Sequence, residues 1–296
     1  MNTSDRTVVV LGATGQQGGA VAAALRAGGW AVRAVVRDPA GARARALSAA
    51  GVEVVRGDLG DAGSLRAAFS GAYGVFSVQP SAGQPGSGVS VEEEFRFGTR
   101  VVEIAERSGV AHLVYSSTVA AGPTETGVAH LDVKSRVEER VRASDVAATI
   151  VRPATFMEIL TLPGAGPGRE LSFLMRPDQA MQFIAVRDIG RVVAGVLAAP
   201  DRYAGRTREI AGDALTGRAL AEALTRAAGR PIGYGRLPDA VLEGDEVLGR
   251  TAALVDSGRL VGHADLDALR AEFPFLLRFD QWLAGPGAGL VREASR

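Results

Sequence analysis

His130 and Lys134 lie four residues apart in a segment, Ala129 to Ala143, whose pattern predicts a helix. Residues at i and i+4 share a helix face, so an imidazole and an ammonium would be neighbours. An unperturbed histidine titrates near ~6.5 and can give up a proton close to neutrality. A lysine ammonium is a compact donor with a tunable pKa, unlike the permanently charged arginine fork. Of the 33 basic residues, Lys134 is the only lysine. In a chain so rich in Arg, Ala and Gly, a lone lysine is a candidate for work that arginine cannot do. The pair could donate a proton to a substrate oxygen and hold nearby hydroxyls. Ser117 and Thr118, which follow the strand-like run His112 to Ser116, are candidates to orient that oxygen. The plain alternative is a surface lysine and a polar helix histidine.

A second constellation lies near the N-terminus. The apolar run Val8-Val9-Val10-Leu11 feeds Gly12-Ala13-Thr14-Gly15-Gln16-Gln17-Gly18-Gly19, which opens into an alanine-rich helix ending near Ala27. Strand, glycine turn and helix in that order form an anion cradle. Glycine lets the backbone approach a phosphate, and the helix start presents unpaired N–H groups to it. The spacing Gly12-x-x-Gly15-x-x-Gly18 is one residue longer in its first gap than the usual dinucleotide fingerprint. With 38 glycines in the chain a chance turn is the competing explanation. The flanking strand and helix favour a pyrophosphate-bearing nucleotide instead.

The second strand-like run ends at Arg37, where an arginine fork favours a ribose 2′-phosphate and hence NADP(H). Asp38 falls one position late for a ribose hydroxyl, and Arg43 and Arg45 read as a solvated face. Asp58, after the third strand-like run, can accept from an adenine amino group, with Leu59 against the ring. Asp61 better suits the cap of the next helix.

To place both constellations, strand-like and helix-like runs alternate through the first half of the chain. The strands are Val8–Leu11, Ala31–Val36, Val52–Val55, Tyr73–Val78, His112–Ser116 and Ala148–Val151. The helices include Gly15–Ala27, Ala40–Ala50, Ser64–Phe69, Val91–Arg107 and Ala129–Ala143. This predicts an α/β fold, a doubly wound parallel sheet of the Rossmann type, with the ligand at the strand C-termini. Loops rich in Pro, Gly and Ser at Pro80–Ser90 and Pro163–Gly168 interrupt the rhythm. Short strands at Leu171–Met175, Ala180–Ala185 and Ile232–Arg236, with a helix at Arg187–Ala198, point to a smaller α+β C-terminal substrate lobe. The expected domains are a Rossmann NADP-binding domain, residues 1–155 with 180–212 returning to it, and a lid lobe, residues 156–179 plus 213–296.

Composition narrows the function classes. The 296 residues are 47% hydrophobic and carry no formal net charge, so nothing suggests a nucleic-acid or membrane surface. The absence of cysteine removes disulfides and thiolate chemistry. The histidines His112, His130 and His263 lack metal-ligand spacing, so no protein-built metal site is expected. The polar start Met1–Arg6 does not fit a signal peptide, and no apolar run approaches the ~20 residues of a membrane span. A cytoplasmic protein with a small-molecule substrate is expected.

The run Gly12 to Gly19, with Arg37, Gly57-Asp58, His130 to Lys134 and Arg152-Pro153, resembles the NmrA-like family of atypical short-chain dehydrogenase/reductase relatives. The likeness extends through Phe183 to Gly190 and Asp280-Gln281-Trp282-Leu283. It implies an NAD(P)-binding Rossmann domain with a small substrate lobe. It implies phosphate contacts from Gly12, Ala13, Thr14, Gly15, Gln16, Gln17 and Gly18, and 2′-phosphate contact from Arg37. Gln79, Pro80 and Ser81 would lie near the cofactor's middle, and Arg96 at the ligand edge. Lys134 would meet the nicotinamide ribose, with Pro153, Thr155, Phe156, Met157 and Glu158 towards the nicotinamide. Ile159 departs from the Asn often found after that Glu.

Short-chain dehydrogenases ordinarily use Tyr-x-x-x-Lys, the tyrosine handling the proton. None of Tyr73, Tyr115, Tyr203 and Tyr234 stands four residues before Lys134; His130 does. The leading expectation is an NADPH-dependent reductase of a small carbonyl, quinone-like or activated-alkene compound. His130 would be proton donor, and Phe156, Met157, Leu160 and Leu162 would line the pocket or serve the core. The alternative is a non-catalytic NADP(H)-binding redox sensor acting on a protein partner; a homodimer is left open. A sugar-nucleotide epimerase or lyase is the third and weaker expectation.

Overall fold

The computed structural model describes residues 6–84, 86–161 and 168–294. Contacts divide the chain into two compact units. One comprises Met1–Thr124, Ala129–Arg152 and Ile189–Arg208; the other comprises Glu125–Val128, Pro153–Asp188 and Glu209–Arg296.

The first unit alternates strand and helix: β1 (Thr7–Val10), α1 (Gln16–Ala27), β2 (Ala31–Val36), α2 (Ala42–Ala49), β3 (Glu53–Arg56), α3 (Ala62–Phe69), β4 (Gly74–Ser77), α4 (Val91–Arg107), β5 (His112–Ser116), α5 (Ala129–Arg142) and β6 (Ala148–Pro153). The chain continues through β7 (Thr155–Phe156), β8 (Glu170–Phe173), β9 (Ala180–Ile184), α6 (Val186–Ala198), α7 (Pro200–Tyr203), β10 (Thr207–Ile210), β11 (Asp213–Thr216), α8 (Gly217–Ala228) and β12 (Gly233–Arg236).

The main sheet has the order β10-β6-β5-β4-β1-β2-β3, a Rossmann-type order, and the ladders joining β1 to β6 are parallel. Parallel strands buried on both faces read as unbroken apolar runs. All four residues of β4 and all five of β5 are buried, which is why those strands were visible in the sequence. Strand order reverses between β1 and β4, so the crevice beyond their C-termini is the expected ligand position. Leu65, Phe69, Val75, Val101, Leu113 and Val137 belong to the core. His112 is fully buried in β5, with its Nε2 2.8 Å from Thr149 Oγ1. The Thr149 hydroxyl proton goes to the Tyr203 carbonyl, so His112 is the donor in that pair.

α4 begins with a capping box: Ser90 accepts from the Glu93 N–H, and the Glu93 carboxylate accepts from the Ser90 N–H. Its buried positions Glu94, Gly98, Val101 and Ala105 recur at helical spacing. A Cβ at Gly98 would come within 2.8 Å of Val137, so glycine there permits the close approach of α5.

In the second unit, β9 pairs antiparallel with β11 and parallel with β7, while β8 and β12 form a separate parallel pair. Phe279 and Trp282 stack 5.7 Å apart in its core with Met157, Leu160 and Phe183. The returning segment is shorter than the expected 180–212. β9 takes its hydrogen bonds from this unit's sheet, so residues 180–188 group with it. The short strands β7, β10 and β11 carry no clear alternation in sequence and were not anticipated.

Candidate cofactor and proton-transfer site

The glycine turn after β1 is shaped by backbone constraints. Gly12 has φ +64°, and a Cβ there would come within 2.9 Å of Val78 Cγ1, from the residue that follows β4. The turn therefore lies at the β1/β4 reversal. A Cβ on Gly18 would run into the Gly12 carbonyl, so only glycine lets α1 close onto the turn. The Gly15 N–H donates to that carbonyl at 2.8 Å. Gly15 caps α1 with no side-chain hydrogen bond, which leaves the first-turn N–H groups for a ligand. Thr14 and Gln16 are exposed, Ala13 is buried, and Gln17 is half-buried. Gln17 Oε1 accepts from Ser116 Oγ at 2.7 Å, a bond that leaves the donor end of the amide unused. A turn closed by glycine backbone, leading into a helix whose first N–H groups carry no side-chain cap, fits a pyrophosphate.

Arg37 is exposed at the end of β2. Asp38 Oδ1 accepts the Ala40 N–H at 3.0 Å, which ties that carboxylate into the turn. Arg43 is not simply solvated as expected: its Nη1 reaches the Thr14 carbonyl at 3.2 Å, bringing a guanidinium to the cradle. Asp58 is exposed and holds the Gly60 N–H at 2.6 Å, while half-buried Leu59 presents its carbonyl to Arg100. Asp61 caps α3 by accepting the Gly63 N–H at 2.8 Å, the role expected of it.

Beyond β4, Gln79 is buried and donates to Ser77 Oγ at 2.8 Å; Pro80 is exposed, and Ser81 Oγ accepts the Gly83 N–H. Arg96 is exposed and reaches Glu93 at 3.5 Å. His130 and Lys134 are both half-buried on α5, as the helical reading required. Lys134 Nζ donates to Glu94 Oε1 at 2.6 Å, and the other oxygen of Glu94 accepts the Ala82 N–H at 2.7 Å. The backbone at Gly83 lies directly against the His130 ring; a Cβ there would overlap it. Burial, then the nearby Lys134 charge, hold the imidazole below its ordinary pKa, against the opposing pull of Glu94 and Asp132.

Thr118 is half-buried and Ser117 is buried. Ser117 faces a charge cluster that the sequence did not announce. Glu138 is fully buried and receives Arg152 Nε at 2.8 Å and Nη2 at 2.6 Å, with Arg142 on the same carboxylate. Burial would raise the Glu138 carboxyl, but the Arg152 and Arg142 guanidiniums hold it below the usual range. Among the described residues no group of three or more His, Cys, Asp or Glu could hold a metal, and no helix is long and apolar enough to cross a membrane.

The family model for the NmrA-like family matches residues 4–261. The chain belongs to the NmrA-like family. It is 31% identical over 259 residues to an NmrA-like family domain-containing oxidoreductase of Aspergillus campestris, covering 79% of this chain and 76% of the relative. It is also 31% identical over 229 residues to an NAD(P)H azoreductase of Xenophilus azovorans, covering 77% of this chain and 76% of the relative. NmrA, a negative transcriptional regulator solved in complex with NADP, superposes with a TM-score of 0.77 at 20% identity, over 95% of this chain and 94% of that one.

Other residues that the NmrA-like resemblance nominated lie in the second unit. Pro153 is buried, and Thr155 and Phe156 form β7, half-buried beside β9. Met157 and Leu160 are fully buried in that unit's core, the second of the two places open to them in the sequence. Leu162 lies outside the described residues. Glu158 caps α6: its two oxygens accept the Val186 N–H at 3.0 and 3.1 Å, and burial raises its carboxyl above the ordinary value.

Glu94, Ser116 and Glu138 escaped the sequence reading. Glu94 stands in the run Glu92-Glu93-Glu94, which looks like a solvated acidic first turn. Its signal was periodicity, because positions 94, 98, 101 and 105 mark one face of α4.

Proposed function

We propose that this chain is an NADPH-dependent reductase of a small carbonyl, quinone-like or activated-alkene acceptor. The observation that carries the reading is the open glycine cradle at the β1/β4 reversal, in the same unit as the only lysine of the chain. Two relatives support it, an oxidoreductase and an NAD(P)H azoreductase, each at 31% identity.

Gly12 to Gly18 would bind the pyrophosphate through backbone N–H groups, with Gln17 adding its amide. Arg37, joined by Arg43, would hold the 2′-phosphate by charge-assisted bonds. Asp58 and Leu59 would meet the adenine. Gln79, Pro80 and Ser81 would follow the cofactor's middle, and Lys134 would hold the nicotinamide ribose. The nicotinamide supplies a hydride when bound. His130 would give the matching proton to the acceptor oxygen, with Thr118 orienting that oxygen. Ser117 is buried, so Thr118 is the member of the pair placed to meet a substrate. Because its pKa is depressed, His130 is a better donor on the acid side of neutrality.

One observation favours a second reading. The Gly83 backbone covers part of the His130 ring, an arrangement suited to a protein that binds NADP(H) without turning it over and signals to a partner. Loss of reduced-nicotinamide absorbance, followed against a panel of quinones, ketones and azo compounds, separates the two. Turnover supports the reductase; tight NADPH binding with no turnover of any acceptor supports the sensor.

A further inference from the structure

We propose that Glu94 is a positioning residue for the cofactor lysine, and that its single carboxylate also fixes the backbone beside His130. The inference rests on the assignment of Lys134 to the nicotinamide ribose.

Glu94 lies on the buried face of α4, and its side chain is only 2% exposed. The glycine one turn later, Gly98, lets α5 come close enough for the carboxylate to meet Lys134. Each oxygen has its own partner: Oε1 takes the Lys134 ammonium at 2.6 Å, and Oε2 takes the Ala82 N–H at 2.7 Å. An ammonium carries three N–H donors, so one bond to Glu94 fixes Nζ and leaves two for a pair of vicinal ribose hydroxyls. Breaking a buried ion pair strands a charge, which keeps the lysine from swinging to solvent. The Ala82 bond sets the adjoining Gly83, whose backbone lies on the His130 ring. One carboxylate therefore sets both the ribose-binding ammonium and the cover over the proposed proton donor.

An acidic residue merely filling a helix face would affect stability alone. A positioning residue affects only ligands that reach Lys134. The test compares NADPH with adenosine 2′,5′-bisphosphate, which carries the adenosine half without the nicotinamide ribose. Binding of each to the full chain is measured by calorimetry for wild type, Glu94→Gln, Glu94→Asp and Lys134→Met. Glu94→Gln keeps the shape and removes the charge. It is expected to weaken NADPH about tenfold while leaving the bisphosphate within about twofold. Glu94→Asp keeps the charge but is one methylene short, and should recover part of the NADPH affinity. If Glu94→Gln does not fold, Glu94→Asp against wild type decides, with the same NADPH-selective loss expected.

Equal losses for both ligands would reduce Glu94 to a structural residue and overturn the inference. So would unchanged NADPH affinity in the Glu94 variants beside a loss in Lys134→Met, and in that case the lysine assignment survives. A Lys134→Met variant that binds NADPH normally would remove the assignment itself, and the inference with it.

Discussion

Ser116 Oγ donates to Gln17 Oε1 across 2.7 Å, joining the end of β5 to the first turn of α1. The bond fixes which end of the amide is available to a ligand, because the carbonyl oxygen is already engaged. Ser116→Ala frees the amide to rotate. We expect NADPH to bind about fivefold more weakly, the worth of one neutral hydrogen bond, with a small change in melting temperature. Titration calorimetry beside thermal unfolding checks this, and an unchanged dissociation constant would remove Gln17 from the cradle.

Arg37→Asp should discriminate between cofactors. A guanidinium–phosphate pair is worth roughly 1.5–3 kcal/mol, so the variant should lose about tenfold to a hundredfold in NADPH affinity and little in NADH affinity. Arg43→Ala should show the same selectivity at smaller amplitude, because Arg43 already reaches the Thr14 carbonyl. Equal losses for the two cofactors would contradict 2′-phosphate recognition.

The depressed pKa of His130 gives the proposed reductase a pH signature. A proton donor must be protonated, so kcat should climb as pH falls through a value below the ordinary 6.5 and level off on the acid side. His130→Gln should flatten that limb and cut kcat by about a hundredfold or more. A pH–rate profile of both proteins suffices. A variant that keeps the limb would leave the proton to another donor.

His112 makes a separate prediction about stability. Burial pushes its pKa from 6.5 to about 4. The unfolded chain takes up the proton as pH falls below 6.5, while the folded chain resists until about 4. Stability conferred by the neutral imidazole is therefore full above 6.5 and is lost progressively through that window, up to ~3 kcal/mol. Urea unfolding of wild type and His112→Gln across this range should show a steeper acid loss in wild type. Parallel curves would refute the assignment.

β1, β4, β5 and β6 were legible because strands buried on both faces leave apolar runs, and helices capped like α4 announce their ends. The boundaries of β5 and α4 matched the sequence to the residue. The glycine cradle was legible because close backbone approach admits only glycine at Gly12 and Gly18. Partnerships between side chains were not legible. Glu94 and Lys134 are 40 residues apart and Ser116 and Gln17 are 99, and no local pattern encodes which polar groups a fold brings together. Arg43 shows the same limit: one arginine among many, marked only by its reach to Thr14. In the second unit, β7 and β11 are too short for alternation to emerge and are set by pairing with β9.

The most direct test of a hydride-transferring protein uses NADPH carrying deuterium at the transferable position of nicotinamide C4. It is incubated with the full chain and, in turn, each of a panel of quinones, ketones and azo compounds, and the products are read by mass spectrometry and NMR. For a ketone, one deuterium should appear on the carbinol carbon per cofactor oxidised. For a quinone or azo acceptor, where the label exchanges with water, deuterium should leave the cofactor in one-to-one stoichiometry with the reduced product. NADPH bound tightly and recovered with its deuterium intact in the presence of every acceptor would contradict the reductase and leave a cofactor-sensing protein.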